Sequence, residues 1–150
     1  MLAYNVGKKL EEAGDADAAL PYYRRALEYK HDYELALNSV GEAHMRAGRT
    51  GHAVRYFRMA VKSAPQYGKG FNNLGVAYTV GANPRMAAKA LKRSLMLDPS
   101  NAESHANLGA TLAGLGEEGQ AGRRAPEPPG PRRPCTRSPG RPARARTQSS

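Results

Sequence analysis

Asn5, Ser39, Asn73 and Asn107 stand 34 residues apart, each two positions before a glycine (Gly7, Gly41, Gly75 and Gly109). A side-chain amide offers a donor and an acceptor together, so such residues can hold a peptide main chain without reading its sequence. Ser39 interrupts the series, and Asn72 gives the third unit a second amide. Lys8, Lys69 and neighbouring Lys9 would add positive charge beside them, although solvated helix-surface lysines need no special role.

Catalytic chemistry finds little support. His31, His44, His52 and His105 are scattered, without the His-x-x-x-His or Glu-paired spacing that holds a metal. His44 shares a column with Leu10, Tyr78 and Leu112, which reads as a packed histidine. Gly68-Lys69-Gly70 and Gly75 imitate the glycine spacing of a phosphate loop, but no Lys-Ser/Thr follows and no strand precedes. Paired carboxylates and a serine–histidine arrangement are also missing. The expectation is a binding protein that is not an enzyme and carries no metal or cofactor.

The net charge of +10 is unevenly spread. Residues 1–116 carry 15 basic and 10 acidic side chains, whereas 117–150 carry 8 Arg and 3 Glu. The latter stretch has 7 of the 11 prolines and no Leu, Ile, Val, Met, Phe or Tyr. It cannot bury enough apolar surface to offset the entropy of ordering it, so a disordered Arg/Pro/Gly-rich tail is expected. Any binding of RNA or acidic surfaces by Arg133, Arg137, Arg141, Arg144 and Arg146 is expected to be nonspecific and salt-sensitive, since no aromatic is interleaved for base stacking. No apolar run approaches the ~20 residues of a membrane span, and the N-terminus shows no secretory signal. The one cysteine, Cys135, excludes an intrachain disulfide framework, and a reducing, cytoplasmic setting is expected.

The elements that position these residues follow from the period. Val6, Val40, Leu74 and Leu108 precede the four glycines, and Ala19, Ala53, Ala87 and Ala121 follow twelve positions after them. Tyr23, Phe57 and Leu91, then Ala26, Ala60 and Ser94, complete the columns. Repeats of this length mean a stacked array of small units. Each unit reads as two helices: small residues let the backbones approach, and the bulky residue fills the space beside them. Helices are expected near 3–13, 17–30, 35–47, 51–63, 69–81, 84–97 and 102–114. Gly48 ends one, Thr50 is the expected N-cap of the next, and Asn83-Pro84 pairs a cap with a proline at the first helical position. Pro21 falls a turn into its helix and weakens the first unit slightly.

Asn72-Asn73-Leu74-Gly75 with Tyr78, then Ala87, Leu91 and Pro99, resembles the tetratricopeptide repeat family. The resemblance covers units near 3–33, 34–67 and 68–101, plus a partial fourth at 102–116. The family's aromatic near each unit's start is replaced by Ala3, Leu37, Phe71 and His105, and His31 stands in the proline column. It implies an all-α, right-handed α-α superhelix whose first helices line a concave groove. There Asn5, Ser39, Asn73 and Asn107 would be similar to the asparagine ladder in the repeat arm of O-linked N-acetylglucosamine transferases. The carboxylate clamp of the family's chaperone-binding members is matched only by Lys8 and Lys69, because the partner positions hold Tyr4, Glu42 and Asn73.

Both ends read as cut: no cap precedes the first helix, and no second helix follows Gly116. The tail has the composition of a GC-rich coding sequence read out of frame, or else is a true basic tail. The expected function is a scaffold that binds a peptide segment or helix of a partner protein in its groove, self-associating through its uncapped ends. The alternative expectation is the non-catalytic arm of a protein O-glycosyltransferase.

Overall fold

The computed structural model describes residues 2–122. They form α1 (Leu2–Glu12), α2 (Ala16–Tyr29), α3 (Glu34–Arg46), α4 (Thr50–Ser63), α5 (Gly68–Val80), α6 (Pro84–Leu97) and α7 (Ala102–Gly122). The first six agree with the expected bounds to within one residue. The pairs α1–α2, α3–α4 and α5–α6 are the units, and α2–α3, α4–α5 and α6–α7 stack them. Contacts of α3 with α5 and of α5 with α7 put the odd-numbered helices on one face and the even-numbered helices on the other.

The glycine column explains how each unit closes. A Cβ added to Gly7, Gly41 or Gly75 would meet Tyr23 at 2.8 Å, Phe57 at 2.5 Å or Leu91 at 2.5 Å. These three bulky side chains are fully buried, as are Ala19, Ala26, Ala53, Ala60 and Ala87 around them. A bulky apolar side chain such as Phe57 or Leu91 contributes roughly 1.5–3 kcal/mol on leaving water, and the missing Cβ makes the approach possible. Pro21 is accommodated inside α2, which runs on to Tyr29.

The turns within units differ. Gly14 and Gly48 take left-handed φ values of +92° and +73°. In the third unit the alanine–glycine order is reversed, so Ala82 takes φ +56° while Gly81 sits at −77°. A side chain in that region costs roughly 1–2 kcal/mol.

Asp15 caps α2 by accepting from the Ala18 amide at 2.9 Å, and Asn101 caps α7 by accepting from the Ser104 amide at 2.9 Å. Thr50 does not cap α4. Arg49 holds that position without a side-chain cap bond, and Thr50 is already helical.

The largest departure is α7. It was expected to stop near 114, with a tail from residue 117, but it runs through Gly116 to Gly122. Gly116 shares the column of Gly14 and Gly48; among the described residues no further helix folds back on α7 to reward a turn. The rest of the expected tail, with Cys135 and the five arginines from Arg133 to Arg146, lies outside the described residues. No helix among the described residues is long and apolar enough to cross a membrane.

Candidate functional site

The inner face of α1, α3, α5 and α7 carries two carboxylates, and each gathers the polar groups around it. Glu11 accepts from the Tyr23 hydroxyl at 2.7 Å, from Arg46 Nη1 at 2.7 Å and from Lys8 Nζ at 3.3 Å. Burial pushes its carboxyl up, but these three donors outweigh it and hold the group below the usual carboxylate range. Arg46 comes from the second unit, so the cluster also ties the first two units together.

Glu42 lies one unit further on. Its Oε1 accepts from Asn38 Nδ2 at 3.0 Å and Asn73 Nδ2 at 2.9 Å, and pairs with the Lys69 ammonium at 3.3 Å. Asn73 Nδ2 also donates to Asn38 Oδ1 at 2.9 Å, which uses both its protons. The next step of the series is buried: Asn72 Oδ1 accepts from Ser104 Oγ at 3.0 Å and from Asn107 Nδ2 at 3.3 Å. Ser94 extends that network: its Oγ lies 2.9 Å from both Ser104 Oγ and the Gly68 carbonyl, and its one proton serves one of them at a time. Ser94 thereby holds the position of Ala26 and Ala60 without leaving a polar group unsatisfied.

The expected residues therefore part company. Asn73 and Lys69 meet at Glu42, and Asn72 and Asn107 meet between α5 and α7. Lys8 belongs to the Glu11 cluster. Ser39 is buried, and Asn5 is exposed. In Asn73 and Asn107 the amide nitrogen is committed to the preceding unit, and the Oδ1 atoms accept from no group among the described residues. Beside Asn73 a cavity of about 270 Å³ opens between α3 and α5, with Glu42 and Arg46 at its edge and Met45, Phe57 and Val76 in its wall.

Sequence reading missed Glu11, Arg46 and Asn38. Asn38 had a signal, for it stands 34 residues before Asn72. Glu11 and Arg46 belong to no shared column, and only the stacking brings them together. His44 is the packed histidine expected: Arg49 Nε donates to its Nδ1 at 2.9 Å, and its ring stacks on His52 and Tyr56. Burial first, with Arg49 and His52 adding to it, lowers its pKa.

A family model described as tetratricopeptide repeat matches residues 5–68. Over those residues, the first two units, the chain matches the tetratricopeptide repeat. The first repeat domain of Spaghetti (RPAP3), solved bound to the HSP90 peptide SRMEEVD, superposes with a TM-score of 0.74 at 22% identity, covering 77% of this chain and 91% of that one. The Sgt2 repeat domain from Aspergillus fumigatus gives 0.74 at 20% identity, with 84% of each chain covered. A variant O-GlcNAc transferase of Thermobaculum terrenum gives 0.70 at 24%, over 74% of this chain and 21% of that one. No curated protein matches the chain. At these identities the likeness of the repeat arrays is one of fold.

Proposed function

We propose that the chain is a protein-interaction scaffold whose concave face binds an extended segment of a partner. The observation that carries this reading is the cavity between α3 and α5, with Asn73 at its rim. A partner side chain would enter between Met45, Phe57 and Val76, while its backbone N–H groups meet the open Oδ1 atoms of Asn73 and Asn107. The solved relative holding an HSP90 peptide supports this mode of use. Lys8 and Lys69 are already bonded to Glu11 and Glu42, so recognition rests on the main chain and the apolar pocket, not on a free carboxylate clamp. The likeness to the transferase spans 21% of that protein and favours no reading as a glycosyltransferase arm. The face of α7 that no further helix covers among the described residues, with Leu112 exposed, supports self-association as a secondary property.

The test is selection of a random peptide library on the immobilised chain, followed by titration of the selected peptides against the Asn73→Ala/Asn107→Ala double variant. Affinity at least tenfold weaker with unchanged far-UV circular dichroism supports the reading. Equal affinity removes these amides from it.

A further inference from the structure

The outer face carries a second feature, independent of the concave reading. Between α4 and α6, with α5 as its floor, runs a furrow of about 550 Å³. Phe71, Leu74 and Tyr78 form the floor, and Met86 and Met96 stand exposed at its edge. Arg58, Lys89, Lys92 and Arg93 ring it, and none of them pairs with a carboxylate among the described residues. Arg93 lies over the Phe71 ring at 5.9 Å.

One substitution within the repeat opens this furrow. The column that holds Tyr22 and Tyr56 in the first two units holds Ala90 in the third. Tyr56 packs against the cluster of Ala19, Tyr23 and Val40 and narrows the corresponding space between α2 and α4. Ala90 leaves it empty. The charge is equally local: from Ala43 to Leu97 there are 10 Lys or Arg and no Asp or Glu.

We infer that this furrow docks an acidic amphipathic helix of another protein. Two helices of 14 residues bound it, giving a trough of about 20 Å, which accommodates a helix of about four turns. Apolar side chains at helical spacing would enter the trough, and the methionines adapt to their shape. Glutamates on the flanks would meet four cations that have no internal partner. A nucleic acid would use those cations but would leave the apolar floor uncovered.

The test uses the full chain and a designed fluorescent peptide of ~15 residues, leucine on one face and glutamate on the other, read by anisotropy at low and moderate salt. A lysine-for-glutamate version and a single-stranded RNA of similar length are the comparators. The glutamate peptide is expected to bind and the lysine peptide not to. Ala90→Tyr, which restores the residue of the preceding unit, is expected to weaken binding at least tenfold. Lys89→Glu/Lys92→Glu, on two exposed positions that leave the fold intact, is expected to weaken the glutamate peptide and admit the lysine peptide. Glutamate-peptide binding untouched by both variants overturns the proposal. So does RNA that binds as tightly and is insensitive to Ala90→Tyr, which would make the patch a polyanion site. Peptide binding abolished only by Asn73→Ala/Asn107→Ala would place it on the inner face and overturn it too.

Discussion

Gly75 and Gly109 occupy one column of the repeat, yet they live in different surroundings. A Cβ on Gly75 would press into Leu91 at 2.5 Å, whereas one on Gly109 would meet nothing within 4 Å. Closed units need glycine because a second helix brings a bulky side chain onto the backbone of the first. Among the described residues no such helix packs on α7, so the same residue is one more position in a long helix. A column fixes where a side chain points, and its energetic meaning comes from what packs there.

The comparison can be broken or sharpened by substitution. Phe57→Ala removes the group that closes the second unit, and a loss of about 3–5 kcal/mol is expected by urea denaturation. Gly41→Ala forces a methyl against Phe57 and is expected to cost about 1–3 kcal/mol. The double variant should cost less than the sum of the two, because the ring that clashes is gone. Additive losses would mean that glycine is needed for some other reason. Ala82→Gly, which restores the residue type of Gly14 and Gly48 at the left-handed turn, is expected to stabilise the chain by roughly 1 kcal/mol. Gly109→Ala is expected to raise helicity and stability slightly, by up to about 1 kcal/mol, and a marked loss would show that α7 is covered after all.

The smallest effect singles out the second unit, where His44 replaces the Leu or Tyr of the other units. Its folded pKa lies below the ordinary 6.5, so as pH falls the unfolded chain takes up the proton first. Stability is therefore full above about pH 6.5 and declines below it toward the folded pKa. His44→Leu should flatten that decline between pH 7.5 and 5.5, read from denaturation midpoints. Glu11 acts in a lower window: its lowered pKa keeps its contribution above about pH 4.5 and loses it as pH falls through the folded value.

The fold was legible because a strict period repeats the same packing problem, and Gly7, Gly41 and Gly75 solve it alike. The site was legible only as a face. Asn72 and Asn73 are neighbours in sequence, yet one turns to α7 and is buried while the other turns to α3. Which amide bonds to which depends on the stacking of units, and a single column does not contain that. The end of α7 was misjudged because a glycine makes a turn only when a following helix gains by folding back. The acid-free stretch from Ala43 to Leu97 is present in the sequence, but only the packing of α4 and α6 against α5 gathers four of its cations around one furrow.

The proposed function holds an extended segment of a partner on the inner face. The most direct measurement is a nitrogen-15 correlation spectrum of the labelled chain, titrated with one peptide selected from the random library. Shifts centred on Asn73, Val76 and Asn107, lost in the Asn73→Ala/Asn107→Ala variant, are the expected result. Shifts confined to α2, α4 and α6, or to residues beyond Gly122, would contradict it.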